Sequence, residues 1–139
     1  IRLVSVLFGA KSWKDRFNYS KKLLKFGFRN FESVLYSKAS VPLLENRVWY
    51  GAKKFLKIGF KEDMYLTLLK ISQKKVSTNI KVLEEISAPI EKNQRVGEIE
   101  FLSNNEVISV KPLYALESVE EGNFFNKIID SIIMFFKKN

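Results

Sequence analysis

Residues 95–119 read RVGEIEFLSNNEVISVKPLYALESV. Val96, Glu98 and Glu100 alternate with Gly97, Ile99 and Phe101, and a period of two marks a strand with one face toward a core. A second run of the same kind begins after Asn104-Asn105. Asn tolerates the left-handed backbone that a two-residue hairpin needs, so this pair predicts a tight turn between antiparallel strands. Working outward, RVWYGAKKFLKIGF (47–60), DMYLTLLK (63–70) and STNIKVLEEI (77–86) show the same strand-like alternation. Pro42, Pro89 and Pro112 stand where a strand start or an edge would tolerate a missing donor. Short strands at close spacing predict a mostly β fold over residues 31–118: a small antiparallel β-sandwich, or the barrel that closes the same strands.

Before Phe31 the period is helical. Ser12 is placed to cap a helix running to about Asn30, with Asp15 in the first turn where an acid complements the helix dipole. Trp13, Phe17, Leu23, Leu24 and Phe28 form an apolar stripe, and Lys14, Lys21, Lys22, Lys25 and Arg29 occupy the other side. The opening IRLVSVLFGAK (1–11) has too short an apolar run, and no cleavage pattern, for a signal peptide. It reads as a buried strand ending in the turn GAKS. A buried strand needs neighbours, so the chain reads as a fragment of a longer protein.

The tail EGNFFNKIIDSIIMFFKKN (121–139) is the most amphipathic stretch. Phe124, Phe125, Ile128, Ile129, Ile132, Ile133 and Phe136 fall on one broad helical face, and Lys127, Asp130, Ser131, Lys137 and Lys138 on a narrower polar one. About sixteen helical residues reach roughly 24 Å, short of the ~30 Å hydrocarbon core of a bilayer. Lys127 and Asp130 would be costly inside it. The reading is a helix lying on a membrane surface, apolar face down, with lysines near anionic headgroups.

Composition removes several functions. Without His or Cys, a Ser-His-Asp triad, a thiolate nucleophile and the usual zinc ligands are all excluded. The net charge of +9 is uneven: residues 1–60 carry 13 Lys/Arg against 3 Asp/Glu, and residues 61–139 carry 11 against 12. The excess sits largely on the first helix and reads as a solvated face, so no nucleic-acid partner is expected. Ser72-Gln73-Lys74-Lys75 matches S-x-x-K, and Ser77-Thr78-Asn79 matches S-x-N. That chemistry needs the Ser at a helix start, with the Lys one turn later to take its proton. Here both fall between or within strands, and no K-T-G follows. No phosphate-binding glycine loop or carboxylate cluster at metal-ligand spacing is present, so neither cofactor nor metal is expected. The chain alone reads as non-catalytic.

Three stretches taken together, RVWYGAKKFLKIGFKEDMYLTL (47–68), APIEKNQRVGEIEF (88–101) and PLYALESVEEGNFFNKIID (112–130), resemble the C-terminal part of the DacA-type D-alanyl-D-alanine carboxypeptidases. These are the low-molecular-weight penicillin-binding proteins of cell-wall maturation. Residues 2–32 resemble the end of their preceding α/β transpeptidase-like domain.

The resemblance implies three segments. Residues 1–30 would be the last strand and helix of the catalytic domain, 31–118 an all-β second domain, and 119–139 an amphipathic membrane anchor. It implies peptidoglycan peptide as substrate of the whole enzyme, whose S-x-x-K, S-x-N and K-T-G motifs would lie upstream of Ile1. It implies a peripheral location on the periplasmic face of the bacterial inner membrane. Arg16, in KSWKDRF, matches an arginine associated with the substrate's terminal carboxylate, a task that suits a bidentate guanidinium. The alternative is a non-catalytic membrane-associated binding module or a degraded gene remnant. An in-frame catalytic motif set upstream of Ile1 would separate the two.

Overall fold

The computed structural model describes residues 1–70 and 76–137. Helix α1 spans Trp13–Asn30, followed by strands β1 (Phe31–Ser37), β2 (Pro42–Trp49), β3 (Phe55–Gly59), β4 (Met64–Leu69), β5 (Val76–Val82), β6 (Ile86–Ser87), β7 (Arg95–Ser103) and β8 (Glu106–Ala115). Helix α2 spans Phe124–Lys137. The fold is mostly β, in two sheets: β1 pairs with β4, and the larger sheet has the order β5-β7-β8-β3-β2-β6.

The hairpin β7–β8 turns at Asn104 and Asn105, with φ of 52° and 66°, and Ser103 faces Glu106 across it. Both asparagines take the left-handed conformation that joins twisted antiparallel strands in two residues. Pro112 pairs with Glu98 on β7, whereas β3 meets β8 only at Tyr114 and Ala115. Among the described residues, the other side of β8 at Pro112 therefore has no neighbouring strand that requires a donor. One pairing departs from the antiparallel expectation: β2 and β6 run parallel over Val48–Ile86 and Trp49–Ser87.

Alternation puts Ile99 and Phe101 inward, both fully buried. Val96 is buried with them, although a strict period of two assigns it to the opposite face. The register shifts between Arg95 and Gly97, and such a bulge rephases the strand by one residue. The core joins the two sheets: Met64, Leu66 and Leu68 of β4 meet Leu56, Ile58, Ile99, Phe101, Leu113 and Ala115 of the larger sheet. Tyr36 of β1 sets its ring edge-on to Phe101, with centroids 4.9 Å apart. These inner faces fill one another, and neither helix contributes to this core.

Ser12 caps α1 as its sequence predicts. The Asp15 N–H donates to Ser12 Oγ at 3.1 Å, and Ser12 Oγ donates to Asp15 Oδ2 at 2.7 Å. At the other end the Phe31 N–H bonds the Gly27 carbonyl, and the chain passes directly into β1. No residue of α1 is buried. Residues 1–8 form no strand, contrary to the reading of a buried one. Val4, Val6 and Phe8 are exposed while Leu3 lies against Gly27 of α1. Burial still alternates along residues 3–8, but among the described residues there is no strand beside them to complete a ladder.

Candidate functional site

The site lies where the chain leaves the sheets. Residues 120–122 run antiparallel to 50–52: the Ala52 N–H donates to the Glu120 carbonyl at 2.9 Å, and the Gly122 N–H to the Tyr50 carbonyl at 2.7 Å. Gly122 lets the two backbones cross closely, since a Cβ there would lie 2.7 Å from the Gly51 carbonyl oxygen. Only Asn123 separates this crossing from α2, and its carbonyl accepts the Lys127 N–H. The helix starts from a fixed point rather than from a tether.

Two turns later Asp130 is buried, only 6% exposed. Arg47 Nη2 of β2 donates to its Oδ1 at 2.7 Å, and the Tyr50 N–H donates to its Oδ2 at 2.8 Å. Arg47 in turn lies over the Trp49 ring, 4.3 Å from its centroid, where a guanidinium is favoured by the ring quadrupole. Tyr50 Oη reaches Met134 Sδ at 3.2 Å. Asn126, Lys127, Asp130 and Met134 are the covered positions of α2, spaced as one helical face. Lys127 also pairs with Glu121.

The opposite face is bare. Phe124, Phe125, Ile128, Ile129, Ile132, Ile133, Phe135 and Phe136 are all exposed, Phe124 by 73% and Phe136 by 75%. At about 100° per residue, Ile128 and Ile132 stand about 160° around the axis from Asp130. Within the polar strip, Asp130 is consumed in docking and Lys127 is engaged by Glu121, while Ser131 stays exposed. Lys137 closes α2, and Lys138 lies outside the described residues.

The other candidate residues are dispersed. Arg16 is exposed in the first turn of α1, its N–H bonded to the Ser12 carbonyl. Ser72 to Lys75, the S-x-x-K match, lies outside the described residues, while Ser77, Thr78 and Asn79 lie on β5. Among the described residues no group of acidic side chains is gathered to hold a metal ion. Sequence reasoning missed Arg47 and Tyr50. Arg47 is a β2 residue and Tyr50 follows the strand's end with a φ of 60°, and no local pattern marks their pairing with Asp130.

The profile of the penicillin-binding protein 5 C-terminal domain matches residues 31–121. The chain belongs to this family. D-alanyl-D-alanine carboxypeptidase DacC of Escherichia coli is 39% identical over 137 residues, which cover 98% of this chain and 34% of DacC. DacA of the same species is 38% identical with the same coverage. Penicillin binding protein 5 from Haemophilus influenzae superposes with a TM-score of 0.73 at 32% identity, over 79% of this chain and 32% of that one. The chain therefore spans about a third of the length of the curated relatives it matches. Within the penicillin-binding protein 5 family, the matched segment begins at the first residue of β1 and ends at Glu121, beside the crossing that launches α2.

Proposed function

We propose that this chain is the C-terminal portion of a serine-type D-Ala-D-Ala carboxypeptidase that trims peptidoglycan pentapeptides. The β domain is its spacer, and α2 is its peripheral anchor on the periplasmic face of the inner membrane. The observation that supports the anchor is the opposition of the two faces of α2. Its polar strip is occupied by the β domain, and its broad apolar face is left outward. Fourteen residues give a helix of about 21 Å, and among the described residues no helix is long and apolar enough to cross a membrane. Eight large apolar side chains on one side suit insertion to the depth of the headgroup and acyl boundary.

The names of the relatives support the enzymatic part, as does the exposed apolar stripe of α1. Trp13, Phe17, Leu23, Phe26 and Phe28 are each about half exposed or more. On this reading they pack against the catalytic segment that occupies the other two thirds of the relatives. Arg16 would then meet the substrate's terminal carboxylate, and the chain alone would not be acylated by a labelled penicillin.

Vesicle sedimentation tests the anchor. Ile129→Glu with Ile133→Glu places two charges on the apolar face and is expected to abolish binding to phospholipid vesicles. Lys137→Ala with Lys138→Ala is expected only to weaken it. A double-glutamate variant that sediments like the parent would refute the reading.

A further inference from the structure

Lipid binding by α2 requires only its apolar face, yet the helix also carries a buried carboxylate on the opposite side. Taking a carboxylate out of water is costly, and a hydrophobic residue at Asp130 would cover the same strip without that cost. What an acid supplies there is direction.

Its two oxygens accept from two different groups, Arg47 Nη2 and the Tyr50 N–H, which restrains rotation of the helix as well as its distance. The guanidinium itself lies over the Trp49 ring, 4.3 Å from its centroid, which limits where its Nη2 can point. Upstream, the crossing of 120–122 with 50–52 fixes where the helix begins.

We infer that Asp130, held by Arg47 and the Tyr50 amide, is a positioning residue that locks the rotation of α2 on the β domain. The domain then meets a phospholipid surface in one fixed attitude instead of swinging on its anchor. The lipid surface rests on the anchor reading above, whereas the lock is a property of this chain alone.

The absence of cysteine allows paired spin labels at Ser77→Cys on β5 and Ser131→Cys on α2, both exposed positions. Distances between the labels are measured in the 139-residue chain, free and bound to phosphatidylglycerol–phosphatidylethanolamine vesicles. One narrow distribution is expected in both states. Asp130→Ala should broaden it at least twofold while the fraction sedimenting with vesicles stays the same. Asp130→Asn keeps an acceptor for the Tyr50 amide but loses the charge, so it should give an intermediate width. A broad distribution in the parent, or an unchanged narrow one in Asp130→Ala, overturns the lock. A parent that stays narrow but ignores vesicles refutes the anchor reading and leaves the lock supported.

Discussion

The Gly122 amide donates to the Tyr50 carbonyl at 2.7 Å, across a crossing so close that a Cβ at Gly122 would meet the Gly51 carbonyl oxygen at 2.7 Å. Backbone faces backbone there, so no flexible side chain can move aside. Gly122→Ala is expected to push the strands apart and destabilise the protein by about 1–3 kcal/mol, as overpacking does. Urea unfolding measures the loss. Hydrogen exchange of the Gly122 and Ala52 amides should show whether it is local to the crossing.

Phe101 is fully buried between the sheets and is met edge-on by Tyr36. Truncation to Ala removes the ring and leaves a cavity, at an expected cost of about 3–5 kcal/mol. Against a typical domain stability of roughly 5–15 kcal/mol, that moves the unfolding midpoint far down. Phe55→Ala is the control: its side chain is mostly exposed, and the change should stay within about 0.5 kcal/mol.

Ser12 provides the oxygen that accepts the Asp15 amide at the start of α1. Ser12→Ala should cost about 1 kcal/mol of local helix stability, and Ser12→Asp should recover most of it. No residue of α1 is buried, so the loss should appear as faster exchange of amides in the first turn. The midpoint of β-domain unfolding should not change.

Glu100 accepts from Lys81 and, at 3.0 Å, from Asn79 Nδ2 on the outer surface of the sheet. The Lys81 hydrogen bond, helped by Asn79, holds its carboxyl below the usual glutamate range, and the same bond raises Lys81 above the usual lysine range. The folded state therefore binds the Glu100 proton more weakly than the unfolded chain does. The pair's contribution is present above the ordinary glutamate range and fades as pH falls through the lowered value. For Lys81 the sign is opposite: its share is full below the ordinary lysine range and is lost as pH rises through the raised value. Carbon-detected titration should find Glu100 below the ordinary glutamate range, and Lys81→Met should bring it back up.

Much of the architecture was legible locally. The cap at Ser12, the Asn104–Asn105 turn and the alternation of Ile99 with Phe101 each depend on residues within one turn or one strand. The amphipathic division of 124–136 was readable in the same way, because helical period alone sorts its side chains. Where reading failed, a partner distant in sequence was involved. Val96 changed face because β7 bulges against β8, and residues 1–8 formed no strand because a ladder needs a second backbone.

The sequence by itself determined which sides of α2 are polar and apolar, since 100° per residue fixes that geometry before anything folds. It could not determine which side faces the protein. An amphipathic helix beside a small domain ordinarily turns its apolar side inward. Here the two sheets already fill each other's inner faces, and the part of the domain that α2 meets offers polar groups instead. There the domain presents Arg47, lying over Trp49, and the Tyr50 N–H. Those groups, 83 and 80 residues away from Asp130 in sequence, take the carboxylate and turn the apolar side outward. That orientation is decided by contacts that exist only once the whole chain has folded.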